Sequence, residues 1–276
     1  MRVLSLLLMF LLVTPAVSQR ADLKEGLLIM AHGGTDEWNA AVREAVDPLR
    51  KSNPVAIAFG MANPATLQEA IYDLEGQGVA SIKVVRLFAS GASFLPETEY
   101  AFGLREEPPE GHFMFEPAIL ELSVPLTMNS EGLLDGAEIG GILADRAAKL
   151  STDPRLETIL ILGHGPGDDS DNEIWLQKMD VLADSVRLDA AYHSVEVATL
   201  REDWTGKRAV VEEQLRQLVY DESEQGRVVI VIPFRLFGFG PYAEVFDTDT
   251  YRADGFGLLP DERLTAWIVD QFQSDE

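Results

Sequence analysis

Apolar residues along this 276-residue chain alternate between short continuous runs and longer stretches with helical spacing. Continuous runs rich in β-branched residues predict strands buried on both faces, and stripes repeating every third or fourth residue predict helices packed over them. In the first half the runs are Leu27 to Ala31, Val55 to Phe59 and Ile82 to Phe88, with Phe113 to Phe115 as a short fourth. Between them, Glu37 to Leu49 carries Trp38, Ala41, Val42, Ala45, Val46 and Leu49 on one stripe. Thr66 to Leu74 carries Leu67, Ala70, Ile71 and Leu74, and Gly76 and Gly78 end that helix. Asp135 to Leu150 reads as a connecting helix with Ile139, Ile142, Leu143 and Ala147 inward, broken by Ser151 to Pro154.

The pattern then restarts. Strands are expected at Thr158 to Leu162, Val195 to Thr199 and Val228 to Ile232, separated by helices at Asn172 to Val186 and Lys207 to Val219; Glu262 to Phe272 is expected to close the chain. LLIMAHGGTDEWNAAV answers ILILGHGPGDDSDNEIW, each a buried strand, a His-Gly pair, an acidic loop and a Trp-bearing helix. VAIAFGMANPATLQEAI parallels VEVATLREDWTGKRAVVEEQL, and IKVVRLFASG parallels VVIVIPFRLFGFG. Only two copies occur, so the repeat is a duplicated domain rather than a solenoid. The expected fold is α/β, with two similar domains, 19–150 and 151–276, each a parallel sheet flanked by helices.

Composition refines this picture at three points. Residues Met1 to Ser18 read as a signal peptide: Arg2, an apolar run from Val3, and small residues at Ala16-Val17-Ser18, followed by Gln19. The expected location is therefore periplasmic or secreted. The run from Val3 to Leu12 is shorter than the ~20 apolar residues that span a bilayer, so no membrane span is expected once the leader is removed. The absence of cysteine excludes disulfides, thiolate metal sites and cysteine nucleophiles, leaving His, Asp and Glu as metal ligands. A net charge of −24 argues against nucleic acid, anionic membranes and polyanionic substrates, and by itself reads as a solubility feature.

Candidate chemistry centres on His32 and His164, each at the carboxyl end of a first strand and each followed by glycine. In open α/β sheets that is where ligands bind. Gly33, Gly34 and Gly165 would let backbone approach a ligand there. The alternative is that each His caps its strand with a hydrogen bond; the recurrence at equivalent positions favours function. Arg86 and Arg235 at the third-strand ends either pair with ligand carboxylates or neutralise surrounding acid. Asp168, Asp169 and Asp171 lack the glycine and terminal glutamate of a calcium loop and read as a helix start. His112 and His193 have no partner at ligand spacing and read as structural. No G-x-S-x-G elbow or phosphate-binding G-x-x-x-x-G-K-[ST] occurs, and GFGPYAEVF reads as a tight turn with core aromatics.

The strand-AHG start, GMANPATLQEAI, the strand-LF segment and TILILGHGPGDDSDNEIW, taken in order, resemble the sirohydrochlorin cobaltochelatase and ferrochelatase family over nearly all of the chain after the leader. The resemblance implies chelatase-like domains and insertion of a divalent metal (Co, Fe or Ni) into a tetrapyrrole, with His32 as metal ligand or base and His164 as its counterpart or a ligand contact. The family's second His, after the LF segment, is replaced here by Ser93 and Phe94, and in the second half by Gly240 and Pro241. Glu97 and Glu99 lie close by in sequence and are the candidates for a substitute ligand or base. The expected function is a chelatase-like lyase or, as the alternative, a non-catalytic carrier of metal or tetrapyrrole outside the cytoplasm; an interaction module that kept only the scaffold is a third reading.

Overall fold

A computed structural model describes residues 24–110, 114–246 and 250–274. The expected leader, Met1 to Ser18, and His112 lie outside them. The first half runs β1 (Glu25–Ala31), α1 (Asp36–Val46), β2 (Val55–Phe59), α2 (Pro64–Gly76), β3 (Ser81–Leu87), α3 (Leu95–Ala101), β4 (Leu126–Met128) and α4 (Ala137–Leu150). The second runs β5 (Glu157–Gly163), α5 (Asp169–Asp189), β6 (Ser194–Thr199), α6 (Thr205–Glu224), β7 (Val228–Phe234), β8 (Tyr251–Arg252) and α7 (Glu262–Gln273). Both sheets are wholly parallel and share one order, β2-β1-β3-β4 and β6-β5-β7-β8. The α/β reading is thus the architecture observed, and the repeat extends to register: Ala31 pairs with Phe59 and Leu87, as Gly163 pairs with Thr199 and Phe234.

The expected fourth strand is corrected. Phe113 lies outside the described residues, Met114 and Phe115 form a bend, and β4 is instead Leu126–Met128. Prolines at 108, 109 and 117 remove ladder donors around the expected strand, and three residues are too short to announce themselves by alternation. Helix α1 stops at Val46 and tightens into a 3-10 turn over Asp47–Lys51, where Pro48 cannot donate back along an α-helix. The short helix α3 and strand β8 carried no periodic signal.

Alternate residues of the central strands divide the core. Leu27, Ile29 and Ala31 of β1 and Ile159 and Ile161 of β5 belong to one apolar cluster that runs through both halves, whereas Leu28 with Met30, and Leu160 with Leu162, face separate outer clusters. The shared cluster is completed by helices that cross over. α4 packs on α5 and β7 of the second half, and α7 packs back on β3 and α1 of the first. Trp267 of α7 is 1% exposed, Thr265 Oγ1 donates to the Ala45 carbonyl at 2.8 Å, and Gln271 bridges Asn129 at 2.9 Å and Glu131 at 2.8 Å. The Nε1 of Trp267 has no hydrogen-bond partner, so its role is apolar volume. Trp267→Ala is expected to cost about 3–5 kcal/mol, read as a lower denaturant midpoint with one cooperative transition retained.

At the start of β5, Glu157 is almost fully buried and accepts from Ser151 Oγ, from Thr152 N at 2.8 Å and from Arg252 Nη1 at 2.8 Å. Burial alone would raise its pKa, but the Ser151, Thr152, Asp153 and Arg252 donors outweigh it and hold the carboxyl down at about 2. Because the folded value lies below the unfolded one, this stabilisation is complete above pH ~4.5 and is lost as pH falls towards about 2; it amounts to on the order of 3 kcal/mol. Glu157→Gln should lower stability at neutral pH and flatten the stability-versus-pH curve between those limits. Chemical denaturation at stepped pH checks this, and parallel curves for the two proteins would contradict it.

Candidate functional site

Because both sheets are parallel and their central strands share the inter-half core, β1 and β5 deliver their carboxyl ends to one cavity of about 460 Å³ between the halves. His32 and His164 both line it. Each imidazole is fixed alike: Nδ1 lies 2.7 Å from the carbonyl of the glycine that follows, Gly33 or Gly165. A carbonyl can only accept, so Nδ1 of each ring carries a proton and Nε2 is the nitrogen left to meet other groups.

The glycines are required by this turn. Gly33 and Gly165 have φ of +81° and +75°, and a Cβ on them would lie 3.1 Å from Phe59 Cβ and 2.5 Å from Thr199 Cβ. Gly34, also a candidate, has its N–H engaged by Asn39 Oδ1 at 3.0 Å and is pressed against Trp38, whose ring a Cβ would meet at 3.0 Å. The turn therefore accounts for these glycines by positioning the two histidines. Gly165→Ala combines a left-handed conformation with a clash against β6 and is expected to cost about 2–4 kcal/mol, more than Gly33→Ala, where the neighbour is further away. Thermal unfolding of the two variants checks the order.

The halves then differ. His164 Nε2 lies 3.2 Å from Asp203 Oδ2, and its ring meets Trp204 edge-on with centroids 6.1 Å apart. At His32, by contrast, no described residue caps Nε2. Register explains the difference: Asn63 occupies in the first half the place of Asp203 in the second, but its side chain accepts from Ala65 N at 3.0 Å and caps α2. His32 is exposed on the cavity side, with Trp38 at a ring-centroid distance of 6.4 Å. The free imidazole thus belongs to the first half.

The remaining candidates scatter. Glu97 lines a second, neighbouring cavity of about 340 Å³ that shares Met61, Phe94 and Met114 with the first. Glu99 pairs with Arg105 at 3.4 Å and lines neither cavity. The structure therefore does not bring either carboxylate to His32, and among the described residues no group of three or more His, Asp or Glu side chains is placed to hold a metal. Ser93 and Phe94, at the expected place of a second His, do line the main cavity. Asp168 caps α5 by accepting from Ser170 N at 2.8 Å, and Asp169 pairs with Arg201 at 2.9 Å and with Lys207, as a helix start requires. The backbone of His193 donates to Pro154 and Glu157 carbonyls at the far end of the second sheet.

Arg86 and Arg235 do not occupy equivalent positions, since Leu87 answers Phe234. Arg86 is fully buried, with Nη1 donating to the Gly91 carbonyl at 2.8 Å, Nη2 to Ser93, and Nε unpartnered. Burial lowers its pKa to about 10 against the opposing pull of Glu99 and Glu97, so it remains charged at neutral pH. Arg235 lines the cavity, paired with Glu202.

Sequence reasoning missed Asp203, Trp204, Met61 and Leu87 as cavity residues, and named Phe94 only as standing where a second His was expected. Aligning GMANPAT with LREDWTG sets Asn63 against Asp203 and is the signal that could have found that difference. Trp38 and Trp175, read as counterparts, are not. The helix caps Thr35 and Asp168 correspond, so Asp171 takes the place of Trp38, and Trp175 lies a turn deeper.

No protein-family model and no curated protein matches the chain. Among solved structures, SirB from Bacillus subtilis with Fe3+ is similar, with a TM-score of 0.63, 14% identity and coverage of 91% of this chain and 95% of that one. A sirohydrochlorin chelatase SirB from Bacillus subtilis subspecies spizizenii, in complex with cobalt, has a TM-score of 0.59 at 12% identity, covering 90% and 95%. DR2241 from Deinococcus radiodurans, a multi-domain protein with structural similarity to chelatases, has a TM-score of 0.57 at 15% identity, covering 92% of this chain and 56% of that one. At these identities the likeness shows the fold.

Proposed function

We propose that this chain is a chelatase-like protein that binds a divalent metal together with a tetrapyrrole ring in the cavity between its halves, with His32 as the protein's contact to the metal. The observation that carries the reading is the asymmetry of the two histidines: Nδ1 of each is engaged by its glycine carbonyl, but only His32 has an Nε2 free of Asp203. A neutral imidazole suits Co²⁺, Fe²⁺ and Ni²⁺ alike. One imidazole holds a free ion weakly, whereas a ring brings its own nitrogens and needs only an additional ligand. The largely apolar lining, with Trp38, Met61, Leu87 and Phe94, suits the faces of such a ring. The fold shared with proteins described as SirB with iron and with cobalt supports the same class of ligand.

Metal insertion must also remove pyrrole protons; Glu97 and Glu99 stand outside the His32 cavity, and the groups lining it that can take a proton are His32, His164, Asp171 and Asp203, so carrier and inserting enzyme are the two readings the experiment separates. The leader read in residues 1–18 supports work outside the cytoplasm.

Titration with cobalt coproporphyrin, followed by visible absorbance, tests the site. The expected result is saturation at one ring per chain, with a band shift from imidazole coordination that His32→Ala abolishes, with at least about a tenfold loss of affinity, and that His164→Ala retains. An unchanged shift in His32→Ala would refute the assignment. Incubation of the metal-free ring with Co²⁺ then separates the roles: insertion above the uncatalysed rate marks an enzyme, and binding without acceleration marks a carrier.

A further inference from the structure

The chain's net charge of −24 opposes any ligand that carries carboxylates, yet a guanidinium reaches the cavity beside the carboxylates of Asp171 and Asp203. Arg235 is the single lysine or arginine among the described residues that line the cavity. It stands one residue past β7, and its placement is built from several directions. Nη1 donates to Glu202, whose own side chain is 10% exposed. The Tyr242 ring lies 5.7 Å from the guanidinium carbon. Gly240, at φ +66°, leaves the space the guanidinium fills, since a Cβ there would lie 2.7 Å from Arg235 Cζ. The Arg235 carbonyl accepts from Leu258 N at 2.7 Å, which fixes the backbone as well. The side chain nonetheless keeps 26% of its surface exposed.

We propose that Arg235 is the carboxylate anchor of the cavity, binding an acidic substituent at the rim of the ring whose metal His32 contacts. The inference rests on the tetrapyrrole reading of the cavity and names what would orient the ring there. Glu202 engages Nη1, and a guanidinium has further N–H donors arranged as a fork that matches a carboxylate. The repulsion from the acidic surface is screened beyond about 8 Å at physiological salt. A partly buried ion contact works at shorter range and lower effective dielectric, so a fixed Arg235 outweighs that repulsion locally. Arg86 cannot share the task, because Gly91 and Ser93 carbonyls take its guanidinium inside the β3–α3 loop. His164 faces Asp203 and adds no free cation. Glu202 aligns the guanidinium and weakens its field; Glu202→Gln keeps an acceptor for Nη1 and removes only the charge, so it should strengthen binding of an acidic ring.

The test compares cobalt coproporphyrin with its tetraamide, titrated into the full chain. The wild-type protein should bind the carboxylate ring at least about tenfold tighter than the amide ring. Arg235→Gln should abolish that preference and leave amide affinity unchanged. Glu202→Gln should enlarge the preference, a gain of affinity that misfolding cannot produce and that remains decisive if Arg235→Gln fails to fold. Equal affinity of the wild-type protein for the two rings overturns the anchor, as does a preference that survives Arg235→Gln or fails to grow in Glu202→Gln. If both rings bind equally with the His32-dependent band shift, only the anchor falls; if neither ring binds, the cavity reading falls with it.

Discussion

The structure depends on one apolar core that the two halves share. Each half is a four-stranded parallel sheet with its own outer cluster, but the inner faces of β1 and β5 bury Leu27, Ile29, Ala31, Ile159 and Ile161 in a common cluster closed by α4 and α7. Those helices pack on the half opposite to the one they follow in sequence, with Arg263 of α7 paired to Asp145 of α4 at 2.6 Å. The carboxyl ends of β1 and β5 open on the same side of this core, where His32 and His164 line one cavity.

On this frame, the same local device operates twice. A buried strand ends in His, and the next residue turns left-handed so that its carbonyl meets the ring nitrogen; only glycine fits, because the neighbouring strand passes within van der Waals contact. The recurrence of this device yields two oriented imidazoles. What separates them is a single capping choice four residues beyond β2 or β6: Asn63 folds back to start α2, whereas Asp203 reaches His164. A one-position chemical change thus leaves one imidazole free for coordination and holds the other in a polar contact.

The cavity is correspondingly two-sided. The first half contributes an open imidazole among Trp38, Met61, Leu87 and Phe94; the second contributes two polar pairs, His164 with Asp203 and Arg235 with Glu202, and the carboxylate of Asp171. The proposed ring would set its metal towards the first half and one rim carboxylate towards Arg235. Glu202 offsets part of the charge of Arg235, and Asp171 and Asp203 line the same cavity, so attraction for an acidic group there is local to the exposed part of the guanidinium.

The sequence alone determined the strands of both sheets apart from the short edges, because long apolar runs buried on both faces leave little room for another reading, and it determined that His32 and His164 end equivalent strands. It could not locate β4, whose three residues are selected by pairing with β3 rather than by pattern. Nor could it rank the site residues. Proximity in sequence suggested Glu97 and Glu99, yet α3 carries Glu97 to a neighbouring cavity and Glu99 to Arg105. Arg86 and Arg235 looked alike at their strand ends, yet register sets Phe88 against Arg235 and seals Arg86 inside. Which nitrogen is free, which guanidinium is reachable and which helix covers which sheet depend on contacts between residues far apart in the chain. Tertiary packing decided these, because local periodicity carries no information about the partner across the interface.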